Sequence, residues 1–343
     1  MAANPTPEEE LRLLLRVYQE CGKNQSEAAR ILGLKRPTFC NRLQRAEQLG
    51  LTTEEFTVPE MPPGDLDVEE LLDFGCRRFE ERHALARAQK WIPIKIKLSG
   101  PIGICWFGDP HIDDNGCNLP LLRRDTRIVR DTEGMFGAHI GDTTNNWIGR
   151  LMRLFADQDT SQETARKYAK WLLVDSGVPW LLWLMGNHDE WNNGSEILRG
   201  MNVKKVLMQD WRAQIKLVFP NGREARIDAR HDFKGHSMWN SLHGLQKAAH
   251  MKEMAHLYIA GHTHNWALHK EESASREFVY WLARCRGYKF IDSFADKLGH
   301  ASQQEGASIV SIFDPDAKTQ GGFVQCFDDV EEGADFLRFK RNG

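Results

Sequence analysis

The sequence IGICWFGDPH, at residues 102–111, places an aspartate and a histidine directly after an apolar run with the character of a β-strand. The same arrangement recurs in four further segments, which are GDTTN at 141–145, GNHD at 186–189, His231 after EARIDAR, and GHTH at 261–264. Loops at the carboxyl ends of neighbouring strands converge in space, so we expect these five motif segments to form one cleft.

Strand-like runs alternate with helical stretches beyond Trp91. The runs are IPIKIKL, IGICWF, GAHI, WLLWLM, QIKLVF, EARIDAR, HLYIA, EFVYWL, ASIVSIF and GFVQCF. The helical stretches LPLLRRDTRIVRDTEG and SQETARKYAKWLLVDSG lie among the earlier runs, and the later runs are more closely spaced. This order predicts that residues 92–343 form a layered α/β domain with helices outside its sheets.

The five motif segments offer carboxylate oxygens, an amide oxygen and imidazole nitrogens, and no cysteine. This donor set suits divalent cations such as Mn, Fe, Zn or Ni. The absence of thiolates argues against a purely structural zinc site. We therefore expect catalytic metal ions in the cleft.

The order D-x-H, G-D-x-x-N, G-N-H-D, H, G-H-x-H resembles that of the calcineurin-like metallophosphoesterases, over roughly residues 98–313. The resemblance implies a layered β-sandwich flanked by helices. It also implies a first metal held by Asp109, His111 and His264, and a second held by Asn187, His231 and His262. Asp142 would bridge the two ions, for which Mn is the first choice and Fe, Zn or Ni are the alternatives.

In such a site two cations share one carboxylate, ionise a bridging water and clamp the phosphoryl oxygens, so that a bridging hydroxide is the expected nucleophile. The resemblance implies that His188 protonates the leaving alkoxide. Asp189 would orient His188, and Asn145 would brace the site from behind the ligands.

Two departures from the family pattern matter. The fourth motif usually reads His-Gly, whereas this chain has RHDFKGHS, so His231 and His236 compete for the ligand position. We favour His231 because it directly ends a strand-like run. Phosphoserine phosphatases of the family carry an Arg after the second motif and a Glu in the third. Here Asn146 and the GNHD segment look more like the phosphodiesterase and nuclease branches.

A tryptophan closely follows each of the last four motif segments. These residues are Trp147, Trp191, Trp239 and Trp266. Each could anchor the next element to the core, because an indole buries a large apolar area. A base beside the scissile phosphate could also stack on such a ring. We expect at least one of the four to face the substrate.

Residues 1–50 are predicted to form a small all-α domain of three helices, with a Gly33-centred turn before the last. The stretch GKNQSEAARILGLKRPTFCNRLQRAEQL, at 22–49, resembles the DNA-binding helix-turn-helix of the factor for inversion stimulation. The expected DNA contacts are Lys35, Arg36, Thr38, Asn41, Arg42 and Arg45. Docking of a protein remains the alternative. Residues 51–91 read as an acidic linker and a connecting helix.

Net charge and cysteine content indicate which partners and which cellular compartment to expect. The net charge is −3, so any contact with nucleic acid must come from a local patch. The four residues Arg123, Arg124, Arg127 and Arg130 recur at helical spacing, which predicts a solvated helix face. Seven scattered cysteines without a C-x-x-C pair argue against a disulfide framework. With no signal-like or membrane-spanning apolar run, we expect a cytoplasmic protein without a membrane partner.

These features predict a metal-dependent phosphoric ester hydrolase, with a phosphodiesterase or nuclease favoured over a phosphoprotein phosphatase. The helix-turn-helix would bring it to DNA. One alternative is a phosphodiesterase for a small molecule or cyclic nucleotide. The other is a DNA-binding regulator whose phosphoesterase domain serves as a sensor.

Overall fold

The computed structural model describes residues 7–51, 67–88, 90–251, 254–291 and 307–342. They form two compact units, Met1–Arg78 and Phe79–Gly343. The boundary falls within an exposed helix, Val68–Ala88, that the sequence predicts. Most of the predicted acidic linker, residues 52–66, lies outside the described residues.

The first unit contains the three predicted helices, which are α1 (Glu8–Glu20), α2 (Gln25–Ile31) and α3 (Arg36–Gln48). The exposed helix at the unit boundary is α4. Asn24 caps α2, because its side chain accepts hydrogen bonds from the N–H groups of Ser26 and Glu27. The apolar faces of the three helices enclose a separate core that includes Leu14, Ala28 and Phe39. The expectation of a small helical domain is confirmed.

Within its described residues, the second unit contains twelve strands in two sheets of six. The strands are β1 (Ile92–Lys95), β2 (Ile102–Phe107), β3 (Met135–His139), β4 (Trp180–Met185), β5 (Leu207–Asp210), β6 (Arg212–Val218), β7 (Glu224–Arg230), β8 (Leu257–Ala260), β9 (Ala267–Ser273), β10 (Phe278–Arg284), β11 (Ser308–Phe313) and β12 (Val324–Phe327). The sheet orders are β1-β6-β7-β8-β10-β9 and β12-β11-β2-β3-β4-β5.

Both sheets are mixed. Strands β2, β3, β4 and β5 run parallel to one another, while β11 is antiparallel to β2 and to β12. In the other sheet β7, β8 and β10 run parallel, and β6 and β9 pair antiparallel with β7 and β10. One sheet therefore presents the carboxyl ends of four adjacent parallel strands at one edge, and the other sheet presents those of three.

The helices of this unit are α5 (Leu119–Asp131), α6 (Gln162–Lys170), α7 (Asn187–Glu190), α8 (Gly194–Met201), α9 (His243–Met251), α10 (Gln320–Phe323) and α11 (Val330–Asn342). Four short turns of other helix types occur at Gly149–Asp157, Trp171–Asp175, Trp191–Asn193 and Ala274–Arg276. No helix among the described residues is long and apolar enough to cross a bilayer.

The alternation of side chains along β2 shows how the layers are built. Ile104 and Trp106 join a core that also contains Ile227 of β7 and Ile259 of β8, so the two sheets pack face to face. Phe107 points the other way, into a second core shared with α5, α6 and α11. A third core lies between α9 and the sheet that contains β8 and β10. The predicted layered α/β architecture is confirmed.

Two strands lack a counterpart among the predicted runs. Strands β5 and β9 lie at the outer edges of their sheets, each with one neighbouring strand. An edge strand buries less of its surface and can be short or polar, as in LMQD and ALHKEES. Their sequences therefore lack the apolar pattern that reveals an interior strand.

We predict that Leu14→Ala lowers the free energy of unfolding of the helical unit by about 2–5 kcal/mol, since Leu14 is buried in its core. The neighbouring Leu13 is 50% exposed, and Leu13→Ala should change that free energy by less than about 0.5 kcal/mol. Hydrogen exchange of residues 7–51 in the full chain, followed against denaturant, measures both. Equal effects would contradict the packing of α1.

Candidate metal centre

The motif segments lie where adjacent parallel strands end. GDPH follows β2, GDTTN follows β3 and GNHD follows β4, all in one sheet. His231 follows β7 and GHTH follows β8 in the other sheet. The face-to-face packing of the sheets brings both sets of loops together.

Asp142 belongs to two groups of side chains that could each hold a cation. His111, Asp142 and His188 form one group, and Asp142, His231 and His262 form the other, with ligand atoms in each within 4.8 Å of one another. The Asp142 Oδ2 atom lies 3.3 Å from His231 Nε2 and 3.8 Å from His111 Nε2. Asp142 thus occupies the shared position expected of a bridging carboxylate.

His231 aims one ring nitrogen at the centre of the second group. Its Nδ1 lies 2.8 Å from the Ile140 carbonyl oxygen, so the Nδ1–H donates there and leaves Nε2 as the ligand atom. Nε2 lies 3.0 Å from His262 Nδ1, 3.1 Å from Asn187 Oδ1 and 3.3 Å from Asp142 Oδ2. Two ligands that are each about 2.1 Å from one cation lie about 3.0–3.4 Å apart. These spacings fit a shared ion.

Burial and the charges of neighbouring groups shift the pKa values of two groups in the cluster. Burial disfavours the charged form of His231, but Asp142 and Asp109 outweigh it and raise the pKa of His231 to about 10. Burial, with a contribution from Asp142, raises the pKa of Asp109 to about 8. At neutral pH both groups therefore hold protons unless a cation replaces them.

The residues predicted to hold the first metal are Asp109, His111 and His264. Asp109 is fully buried, and its Oδ2 accepts a hydrogen bond of 2.7 Å from the His262 N–H. Its Oδ1 accepts none from the described residues, although His231 Nδ1 lies 3.6 Å away. The rings of His111 and His264 have centroids 5.2 Å apart. A cation would satisfy the unpaired oxygen, whose burial otherwise costs about 1–3 kcal/mol.

The choice between the two candidate histidines of the fourth motif is clear in the structure. His231 is fully buried within the cluster, whereas the His236 side chain is 69% exposed and lies 3.6 Å from Asp232. Only His231 is positioned to contribute to the centre.

His188 faces the same carboxylate as the ligands. Its Nε2 lies 4.0 Å from Asp142 Oδ2, and its Nδ1 contacts the backbone carbonyl of Asn145. The geometry alone admits His188 as a ligand, which the family resemblance does not. Burial lowers its pKa, because the charged imidazole loses hydration. The Asn145 carbonyl, rather than a carboxylate, orients the ring.

Asp189 does not make the expected contact with His188. Its carboxylate instead accepts hydrogen bonds from the backbone N–H groups of Asp142 at 2.7 Å, Thr143 at 2.9 Å and Gly186 at 2.9 Å. Burial raises the pKa of Asp189 to about 6. The expected orienting role is therefore corrected: Asp189 ties the second and third motif segments together. The side-chain amide of Asn145, for which a bracing role was predicted, donates to Asp114 at 2.8 Å, and its backbone carbonyl contacts His188.

Five of the seven predicted ligands have left-handed backbone conformations. They are Asp109 (φ 32°), His111 (φ 39°), Asp142 (φ 57°), His262 (φ 70°) and His264 (φ 52°). Such conformations are costly for residues with a side chain and concentrate at functional sites, where the surrounding structure enforces them. Here the strain aims the side chains of three separate loops into one centre.

At two motif positions a carboxylate lies so close to the backbone that only glycine fits. A Cβ on Gly186 would lie 2.2 Å from Asp142 Oδ1, and a Cβ on Gly261 would lie 2.2 Å from Asp109 Oδ2. Any side chain at these positions would displace a buried carboxylate. Each of these two glycines therefore provides space for a predicted ligand of a different loop.

Arg284, at the end of β10, supports two of the loops but is not part of any predicted motif. It is buried, and its guanidinium donates to Asp232 Oδ1 at 3.1 Å and to the carbonyl oxygen of Gly261 at 2.5 Å. It also donates to Thr263 Oγ1 at 3.1 Å. A feature of the sequence could have revealed this role: Arg284 directly follows the apolar run FVYWLA, and a charged residue at the end of an interior strand is buried and needs partners.

The four predicted substrate-facing tryptophans separate into two groups. The rings of Trp147 and Trp191 lie 5.1 and 4.2 Å from that of His188. Trp239 is 91% exposed and makes no ring contact with a described site histidine, so its predicted place at the cleft is not supported. Trp266 is half-buried before β9. Trp211, which the sequence did not single out, lies 5.1 Å from the His231 ring.

The predicted DNA-binding face belongs to α3 and the residue before it. Five of its residues are exposed, namely Lys35, Arg36, Thr38, Asn41 and Arg45. Arg42 differs, because its Nη1 lies 3.1 Å from Glu10 Oε2 and its side chain is only 30% exposed. That salt bridge ties α3 to α1, so Arg42 is partly committed to holding the unit together.

Comparison with protein families gives one finding. Residues 11–55 match the PucR C-terminal helix-turn-helix domain. No curated protein matches the chain. The matched residues include most of α1, all of α2 and α3, and the exposed face of α3, which confirms the predicted helix-turn-helix and supports its use in DNA binding. The match ends before the residues of the metal centre.

We predict that binding of Mn²⁺ releases protons at pH 7, because His231 and Asp109, with pKa values near 10 and 8, must lose theirs. Titration calorimetry in buffers of different ionisation enthalpy measures the release. Affinity should rise with pH up to about the pKa of His231, and the rise should be steeper below the pKa of Asp109, where both groups release protons.

The two histidines of the fourth motif provide the matched control for this experiment. His231→Ala should lose one bound ion and part of the proton release, while His236→Ala should bind like the parent. Binding without proton release, or equal losses in the two variants, would refute the assignment of the cluster.

Proposed function

We propose that this protein is a two-metal phosphodiesterase that acts on nucleic acid and is directed to DNA by its helix-turn-helix. The observation that carries the proposal is the Asp142 carboxylate shared by two groups of histidines at the meeting point of two sheets. The order of the motif segments, which resembles that of the calcineurin-like metallophosphoesterases, gives the same reaction class.

The chain holds the ions with the seven residues Asp109, His111, Asp142, Asn187, His231, His262 and His264. When bound, divalent cations such as Mn supply ionisation of a water near neutral pH and charge stabilisation for the phosphoryl group. The protein supplies a rigid arrangement, because Asp189, Arg284 and the strained loops fix the ligands before substrate arrives.

His188 is the proposed general acid. Its Nδ1–H donates to the Asn145 carbonyl, so the proton to be transferred is the one that Nε2, the nitrogen facing Asp142, carries when the ring is in its imidazolium form. From there it can pass to the leaving oxygen of the ester. Because burial lowers the pKa of His188, the proton is readily given up.

The nucleic-acid substrate is proposed from two features. Trp147 and Trp191 flank His188 and offer rings on which bases beside the scissile phosphate can stack. The helix-turn-helix supplies an exposed basic face on the same chain. A small phosphodiester could stack on the same rings. In that case the helix-turn-helix would regulate the enzyme and would not bring it to its substrate.

A DNA-binding regulator with a sensor domain is the second candidate, favoured by the PucR-type helix-turn-helix. Under that proposal the centre binds cations without turnover. Hydrolysis by the Mn-loaded protein, compared with its metal binding, separates the two candidates.

We predict that chelation abolishes hydrolysis of bis-p-nitrophenyl phosphate and that Mn²⁺ restores it. His188→Ala should slow a diester with an alkoxide leaving group by about 10² to 10⁴ fold, and slow the nitrophenyl ester far less, because nitrophenolate needs little protonation. Steady-state rates on both esters measure this split.

His243→Ala, at an exposed position on α9, is the control for the loss of an imidazole. Metal content must be unchanged in His188→Ala. An equal loss on both esters, or a lost ion, would make His188 a ligand rather than an acid.

For the helix-turn-helix, we predict that Arg36→Ala combined with Arg45→Ala weakens binding to duplex DNA and lowers the slope of log affinity against log salt by about 1.8. Arg16→Ala removes an exposed charge from α1 as the control. Hydrolysis of the chromogenic ester should not change. An unaltered affinity and slope would indicate that α3 docks a protein instead.

A further inference from the structure

The four arginines of α5 do not form one uniform solvated face. Arg124 lies 2.9 Å from Asp125 and 3.1 Å from Asp329, and Arg130 lies 2.7 Å from Asp131. The sequence-based expectation for the α5 arginines therefore holds for only part of the set.

Arg123 and Arg127 are exposed and form no salt bridge with a carboxylate of the described residues. The Arg127 Nε donates to the Arg123 backbone carbonyl at 3.2 Å. The field of Arg127 reaches Asp131, but that carboxylate is already held by two hydrogen bonds from Arg130. Both guanidinium groups are therefore open to an anionic partner.

Two aromatic side chains face the same region from α6 and the turn that follows it. Tyr168 lies on α6, and Trp171 begins a π-helical turn over Trp171–Asp175. The Ser176 N–H donates to the Trp171 carbonyl at 2.7 Å, which closes the wide turn. Turns of this type are rare and occur often at functional sites. Both rings are only half-buried.

These four side chains line one open groove of about 710 Å³, whose apolar floor includes Ile112 and Leu119. We call it the arginine–aromatic groove. One of its lining residues, Ile112, directly follows the predicted ligand His111 in the chain, and the Ile112 N–H donates to the Thr143 carbonyl of the second motif segment at 3.0 Å. A strand whose scissile phosphate lies at the centre could continue into the groove.

We propose that the arginine–aromatic groove binds a single-stranded segment of nucleic acid, with bases stacked on Tyr168 and Trp171 and phosphates paired with Arg123 and Arg127. Stacking requires unpaired bases, which a duplex does not present at its surface. An inorganic anion would use the arginines but not the rings. The strand's path to the metal centre rests on the proposed function, whereas binding in the groove does not require it.

The test measures binding of fluorescein-labelled oligothymidylate, and of an abasic strand of equal length, to the full chain in EDTA by anisotropy. Arg123→Ala combined with Arg127→Ala should weaken binding of both strands and lower the salt slope by about 1.4. Trp171→Ala should weaken oligothymidylate binding by about 5- to 150-fold and leave abasic binding unchanged.

Arg130→Ala combined with Asp131→Ala removes a neighbouring ion pair from α5 without freeing a carboxylate for Arg127, and should bind like the parent. An unchanged affinity and slope in the Arg123 and Arg127 double variant, or an equal loss in this control, would overturn the proposal. The proposal would also be overturned if the groove variants lost binding of an acidic peptide but kept binding of the strands. The groove would then be a protein-binding surface. If Trp171→Ala fails to fold, the double variant of Arg123 and Arg127 still tests the proposal.

Hydrolysis of bis-p-nitrophenyl phosphate with Mn²⁺ is measured in the same variants and should not change. A protein that binds the strands through the groove but never hydrolyses an ester would refute the phosphodiesterase and leave the groove intact. A protein that hydrolyses the ester but does not bind the strands through the groove would refute the groove proposal and leave the phosphodiesterase intact.

Discussion

The burial of two carboxylates around one imidazole is the constraint on which the rest of this structure depends. His231 lies 3.6 Å from Asp109 and 3.3 Å from Asp142, and all three are almost completely removed from solvent. Such burial is unfavourable without a compensating positive charge. Protons on His231 and Asp109 provide that charge in the metal-free chain, and divalent cations would provide it more completely.

The two sheets must pack correctly for this cluster to exist. One sheet contributes Asp109, His111, Asp142 and Asn187, and the other contributes His231, His262 and His264. The apolar core between the sheets, with Trp106 facing Ile227 and Ile259, therefore fixes the distance between the two halves of the site. Arg284 and Asp189 then lock loops within each half, so a loss of packing far from the ligands would also disturb the centre.

Much of this arrangement could be predicted from the sequence, because apolar runs followed by Asp, Asn and His reveal both the interior strands and the loops at their ends. The edge strands β5 and β9 could not, since they carry no apolar pattern. The partner of His188 could not either, because a backbone carbonyl leaves no mark in the sequence. The second partner of Arg124 on α5 could not be predicted either, because Asp329 lies some two hundred residues away in the chain.

The central claim is that Asp142 joins two metal ions, and electron paramagnetic resonance of the Mn²⁺-loaded protein tests it most directly. Two ions that share a carboxylate lie about 3.5–4 Å apart and couple magnetically. The account predicts two Mn²⁺ per chain with an exchange-coupled spectrum that Asp142→Asn abolishes. A spectrum of isolated ions in the parent protein, or coupling that survives in Asp142→Asn, would contradict it.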